Sequence, residues 1–125
     1  MRKPKAKDQT LLLLDAIVKG IQDKKGKDIV SLHLDKIQST VCDYLVVCHG
    51  TSRTHVNAIG ESVEETVKKA IGVDPRRREG AGNAEWILLD YLDVVVHVFQ
   101  EPVRQFYQLE QLWADAPSHK YESDD

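Results

Sequence analysis

The first place in this chain where chemistry is conceivable is Gly50-Thr51-Ser52, which reads as a strand-to-helix turn. Backbone N–H groups at a helix start can hold a phosphate. A nucleotidyl-transfer site also needs two metal-binding carboxylates on one strand face, typically about two residues apart. Asp90 and Asp93 are instead three apart and flank a turn. The transferase reading is therefore the weak one. Metal binding fares worse, because Cys42, Cys48, His49 and His55 lack the close paired spacing of a zinc knuckle. Small apolar packing is the expected role of both cysteines. No Gly-x-Ser-x-Gly turn occurs, and Ser52 is better explained as a helix cap than as a nucleophile. His97 stands among Val95, Val96, Val98 and Phe99, where a lone histidine is expected to be a hydrogen-bonded core or interface residue. Arg76-Arg77-Arg78 offers charge to RNA, yet no aromatic residue interleaves it, so a solvated loop is preferred. No catalytic residue, metal or cofactor is expected.

These residues must be positioned by elements that periodicity outlines. Leu11, Leu14, Ile17, Val18 and Ile21 recur at helical spacing before Gly26, which predicts a helix over 8–25. Residues 28–34 alternate as a strand, with Val30, Leu32 and Leu34 opposite Ile29, Ser31 and His33. Lys36 to Thr40 is polar and turn-like. A second strand carries Cys42, Tyr44, Val46 and Cys48 on one face and ends at Gly50. The two cysteines then point the same way but lie about 20 Å apart, too far for a disulfide. Val56, Ile59, Val63, Val67 and Ile71 form the stripe of a helix that Ser52 opens and Gly72 closes.

Trp86 to Tyr91 and Val94 to Phe99 are dense apolar runs either side of Leu92-Asp93, which predicts two central, neighbouring strands joined by a tight turn. Pro102 suits the first turn of a last helix, with Glu101 at its N-terminus. On that helix Arg104, Gln108, Gln111 and Asp115 make the wet stripe, and Phe106, Leu109 and Trp113 the core stripe. Val103, Tyr107 and Leu112 widen the apolar arc beyond one contact, so part of it is expected to face a partner. The organisation is thus a basic arm at 1–7, one domain at 8–116 and a mobile acidic tail at 117–125.

With 42% apolar and 30% charged residues over 125 positions, the chain is too apolar to be disordered and long enough for a core. No apolar run approaches the ~20 residues of a membrane span, and no signal-peptide pattern follows the basic start. Reduced thiols and a cytoplasmic address are expected. The charge is uneven: residues 1–78 hold 15 Lys/Arg against 10 Asp/Glu, whereas 79–125 hold 2 against 10. An acidic C-terminal half repels phosphate backbones and attracts basic protein, so sequence-specific nucleic-acid binding is not expected there.

Taken in order, Asp43-Tyr44-Leu45-Val46-Val47, Gly50-Thr51-Ser52, Glu79-Gly80, 86–91, 95–99 and 104–113 resemble the ribosomal silencing factor family, also called iojap-like. The resemblance covers about residues 8–116. One departure is Leu92, where the family usually has glycine, and this speaks against a left-handed turn at that position. The resemblance implies an α/β (α+β mixed) fold, a mixed sheet flanked by helices, akin to nucleotidyltransferases but without their active site, and often a homodimer. It further implies binding to the large ribosomal subunit through its fourteenth protein, a basic protein at the subunit interface. Joining of the small subunit is then blocked and translation repressed. The expected partner-binding residues are Trp86, Leu88 and Asp90 on one strand face, His97 and Phe99 on the next strand, and Tyr107 on the last helix. Large aromatic anchors ringed by polar groups favour such a role. Asp90 and His97 would supply oriented hydrogen bonds to the partner. The alternatives are an RNA-associated large-subunit assembly factor using Arg76 to Arg78 and, behind it, an active nucleotidyltransferase.

Overall fold

A computed structural model describes residues 6–34, 42–80 and 82–123. The basic start before residue 6 and the polar segment Lys36 to Thr40 lie outside them. The elements run α1 (Ala6–Asp23), β1 (Lys27–His33), β2 (Tyr44–Gly50), α2 (Arg53–Ile71), β3 (Arg77–Glu79), β4 (Trp86–Asp90), β5 (Val94–Gln100), α3 (Glu101–Tyr107), α4 (Leu109–Leu112) and β6 (Ser118–Tyr121). The six strands form one mixed sheet in the order β3-β4-β5-β2-β1-β6. Its centre is the parallel pair β2 and β5, in register from Tyr44↔Val94 to Gly50↔Gln100. The other pairs are antiparallel.

Strand alternation divides the core in two. Ile29, Val46, Cys48, Ile87, Leu89, Val94, Val96 and Val98 face α1 and α2, where they meet Ile17, Ile21, Val56, Ile59 and Val63. The expected stripes of both helices are buried there, except that Leu11 stays exposed, Ile71 is only partly buried and Leu13 takes an inner place. The two helices approach closely at Gly20, where a Cβ would stand 2.8 Å from Val63 Cα and where Ser62 Oγ donates to Gly20 O at 2.8 Å. Any larger residue at Gly20 would push the pair apart. Ser52 caps α2 by accepting from His55 N, and Gly72 closes it in the left-handed region.

On the opposite face Val30, Leu32, Leu45, Val47 and Phe99 form a smaller core, joined by Cys42 and Ala116 and roofed by Val103, Leu109 and Trp113. Cys42 and Cys48 therefore lie on opposite sides of the sheet rather than on one face. β2 begins only at Tyr44, after a bend at Asp43, and the alternation cannot be run back through that bend. Both are free thiols, and burial pushes Cys42 up to about 11 and Cys48 to about 12. Neither is a ready nucleophile.

Three further expectations meet a different structure. Arg77 and Arg78, read as loop, belong to the edge strand β3, because β4 offers them an unpaired side. Leu92 does adopt the left-handed conformation, at φ 76, and its N–H donates to Asp90 Oδ1 at 2.8 Å. The turn geometry is kept although a leucine there costs roughly 1–2 kcal/mol. The segment from Pro117, expected as a mobile tail, forms β6 along β1, from Ile29↔Tyr121 to Leu32↔Ser118. Tyr121 packs on the larger core, and its hydroxyl is 3.0 Å from Ser31 Oγ.

Two outcomes follow. A chain ending at Ala116 bares the outer edge of β1 and loses Tyr121, so its circular-dichroism melt is expected roughly 10 °C or more below that of the full chain. An unchanged melt would mean that β6 contributes nothing to stability. At position 92, Leu92→Gly is expected to leave the melting temperature level or raise it by a few degrees, and Leu92→Val to lower it. The opposite order in calorimetry would show that the leucine makes a contact worth more than its strain.

Candidate functional site

On the side of the sheet away from α1 and α2, β4 presents Trp86, Leu88 and Asp90, and β5 presents Val95, His97 and Phe99. Register sets Trp86 beside Phe99 and Leu88 beside His97. Tyr107 comes from the end of α3. All six expected residues therefore share one face, with Asp90 at the end of β4 away from Trp86, Phe99 and Tyr107, but not with equal access. Trp86 and Leu88 are partly buried and Tyr107 is half-exposed, whereas Asp90 and His97 are buried and Phe99 has no exposed surface at all. Phe99 is thus a floor, and only Trp86, Leu88 and Tyr107 present broad surface to solvent.

An aromatic chain rises from that floor. Trp86 packs on Phe99 at 4.8 Å and on Tyr107 at 4.9 Å, and Phe106 meets Tyr107 edge-on at 5.1 Å. Such tilted and edge-on contacts suit the ring quadrupoles. Trp86 Nε1 donates to His97 Nδ1 at 2.9 Å, which fixes the indole and leaves the imidazole neutral. Burial pushes the His97 ring down to about 4. The carboxylate of Asp90 accepts from Arg76 Nε at 3.2 Å and from Leu92 N, so its hydrogen bonds are made within the chain. Beside these residues lies a cleft of about 460 Å³ whose lining includes Leu45, Leu88, Val95, Leu109 and Trp113.

The roof over this cleft departs from the expected single helix. The chain breaks at Gln108, at φ 47, between α3 and α4. Phe106, expected in the core, is 81% exposed, and Leu112 is 70% exposed. Arg104, expected to be wet, is only 8% exposed. Its guanidinium forks onto both oxygens of Glu110 at 3.0 and 3.2 Å, and Nη1 donates to His49 Nδ1 at 2.9 Å. His49 Nε2 in turn lies 3.2 Å from Glu101 Oε2. Burial first, then the neighbouring Arg104, lowers the His49 pKa, so the neutral ring accepts on one nitrogen and donates on the other. Residues six apart lie on different sides of a continuous helix. The break at Gln108 is what brings Glu110 round to Arg104. A second cavity of about 760 Å³ borders this network, and its charged inner groups already bond one another.

The Gly50-Thr51-Ser52 turn is also occupied from within. His55 Nδ1 accepts from Thr51 N at 3.0 Å, the Ser52 hydroxyl accepts from His55 N, and His55 Nε2 is 2.7 Å from Lys24 O. A side chain fills the position where a phosphate cradle would open. Asp93 accepts from Thr10 at 3.3 Å, across the turn from Asp90. Among the described residues no three His, Cys, Asp or Glu side chains converge on a metal position, and no helix is long and apolar enough to cross a membrane. In the sequence Arg104 and the cleft residues Leu109 and Trp113 read only as wet or core positions, and Arg76 only as a candidate RNA contact, because their placement depends on these long-range contacts.

The buried neutral His97 carries a pH consequence. Its folded pKa lies below the unfolded value near 6.5, so the unfolded chain binds the extra proton between the two. Stability from this group is complete above pH 6.5 and falls as pH drops toward 4, by up to about 3 kcal/mol. Denaturant melts of wild type and of His97→Gln, which keeps an acceptor for Trp86, are expected to diverge in that window. Parallel pH profiles would show that His97 is not held neutral.

Comparison with known proteins agrees with this architecture. A family model for the ribosomal silencing factor during starvation matches residues 6–125. The chain is 39% identical over 110 residues to a ribosomal silencing factor of Halalkalibacterium halodurans, covering 88% of this chain and 92% of that one. It is 39% identical over 105 residues to that of Bacillus subtilis, covering 84% and 87%. A crystal structure of a Chromobacterium violaceum protein superposes with a TM-score of 0.79 at 37% identity, over 84% of this chain and 86% of the other. The family match runs through every element from α1 to β6 and includes the whole aromatic face. This chain belongs to the ribosomal silencing factor family.

Proposed function

We propose that the protein acts in the cytoplasm as a translation repressor, docking the open face of β4 and β5 on the large ribosomal subunit. The docking partner is the fourteenth protein of that subunit, a basic protein at the subunit interface, and a bound copy obstructs joining of the small subunit. The observation that carries this reading is the surface formed by Trp86, Leu88 and Tyr107 beside an apolar cleft. Interfaces concentrate their energy in such rigid aromatic anchors. The excess of acidic residues after position 79 complements a basic partner and would speed encounter. Binding, rather than catalysis, is the activity. The turn that could hold a phosphate is closed by His55, and the carboxylates of Asp90 and Asp93 are engaged by Arg76 and Thr10. Magnesium with a nucleoside triphosphate should accordingly give no thermal stabilisation.

The exposed apolar side chains of Phe106 and Leu112, beyond Tyr107, are compatible with a homodimer as well. A role in large-subunit assembly through RNA would use Arg76 to Arg78. Arg76 is paired with Asp90, Arg77 with Glu79 and Arg78 with Glu64, and no aromatic residue interleaves the three to stack on bases.

Co-sedimentation with isolated large subunits tests the reading. Tyr107→Ala is expected to keep the wild-type melt, because the ring is half-exposed, while weakening binding by about 2 kcal/mol or more, roughly thirtyfold. Trp86→Ala is expected to weaken binding at least as much and also to lower the melt by several degrees, since the indole covers Phe99. Folded variants that still bind and still block subunit joining would overturn the assignment of this face.

A further inference from the structure

We propose that Arg76 is a specificity-determining residue of this face: in the free protein its guanidinium occupies the place on Asp90 that a basic side chain of the partner takes on docking. The inference rests on the docking reading given above. The side chain of Asp90 is 6% exposed, while that of Arg76 is 62% exposed. One carboxylate oxygen, Oδ1, is committed to the turn through Leu92 N at 2.8 Å. The other, Oδ2, receives Arg76 Nε at 3.2 Å, with Arg77 Nη2 farther off at 3.9 Å. The carboxylate thus has one structural bond inward and one exchangeable bond toward solvent.

The geometry makes the exchange local. Arg76 N donates to Asp90 O at 2.8 Å, which pins the arginine's backbone to β4 while its exposed side chain is free to swing. Releasing a largely exposed arginine from an ion pair costs little, because water takes over its donors. Asp90 and Arg76 line the same cleft as Leu88, Val95, Leu109 and Trp113. A partner segment that seats an apolar side chain in this cleft brings an adjacent Lys or Arg to Oδ2. With the Asp90 side chain only 6% exposed and the Arg76 guanidinium on its outward oxygen, an incoming cation reaches Oδ2 by taking the place of Arg76. A segment without a cation meets the Arg76 pair intact and gains nothing from Asp90. The partner recognised is therefore an apolar residue next to a basic one on a protein surface.

Equilibrium binding of the full chain to isolated large ribosomal subunits, at one fixed salt concentration, tests this. Arg76→Ala is expected to tighten binding about fivefold, because the internal competitor is gone. Arg78→Ala removes the same charge from a side chain bonded to Glu64 of α2 and is expected to change binding by less than about twofold. In an Asp90→Asn background, where the amide oxygen still accepts from Leu92 N, Arg76→Ala is expected to have no effect. Circular dichroism establishes that each variant is folded. Arg76→Ala binding that equals Arg78→Ala, or is weaker than wild type, would overturn the inference, the weaker case assigning Arg76 a direct contact to subunit protein or RNA. Loss of binding in Trp86→Ala with no gain in Arg76→Ala overturns this inference alone. A wild-type chain that does not bind large subunits overturns the docking reading and this inference with it.

Discussion

The parallel pairing of β2 with β5 is the constraint from which the rest of the molecule follows. Two parallel neighbours cannot be joined by a tight turn, so the chain between them must cross over. It does so through α2, which with α1 covers one face of the sheet, and then returns through β3 and β4 before β5 enters the centre. Val46 beside Val96 and Val47 beside His97 lie in the most buried part of the sheet. Once α1 and α2 are committed to one side, only the short segment after β5 remains to cover the other. That segment roofs β1 and β2 and leaves part of β4 and β5 uncovered.

How this short roof is held explains the shape of the uncovered surface. Arg104 reaches under the chain to His49 at the end of β2 and to Glu110 beyond the break at Gln108. Burying such charges is costly unless every donor and acceptor is matched, and here guanidinium, imidazole and two carboxylates satisfy one another. A network of this kind specifies one arrangement, because any slip leaves a buried charge unpaired. Its consequence is felt at Tyr107 and Leu109, on either side of the break. One is set against Trp86, and the other joins the wall of the apolar cleft.

The same economy of side chains closes the place where a related architecture could hold a phosphate. His55 turns back onto Thr51 and Lys24, so the N–H of Thr51, just before α2, has its partner from the chain itself. The proposed recognition surface accordingly lies on the sheet face rather than at the strand ends. There the polar groups are few and oriented: Trp86 is fixed by His97, and Asp90 by the turn at Leu92 and by Arg76. A largely apolar surface with a small number of placed polar atoms suits protein recognition.

Much of this was legible in the residues themselves. Period-two alternation in 28–34 and in the strand that ends at Gly50, and dense apolar runs over 86–91 and 94–99, mark strands; successive strand residues face opposite sides, so Trp86, Leu88 and Asp90 had to share a side. The stripe from Val56 to Val67, with its cap at Ser52 and its stop at Gly72, is a local signal and survived intact. What the sequence could not record is which side of a short amphipathic segment turns inward once distant partners are available. Arg104 is polar and reads as wet, but His49 and Glu110 give it a buried place, and Phe106 is displaced outward as a result. Ser118 to Tyr121 reads as a tail because its composition is polar, yet the bare edge of β1 supplies backbone partners that no side-chain pattern announces. Leu92 keeps a glycine's conformation for a similar reason, since Asp90 and the two strands it joins overdetermine the turn. Local periodicity determined the elements and the shared face; long-range hydrogen bonds and edge pairing decided access to that face, because they depend on residues far apart in the chain.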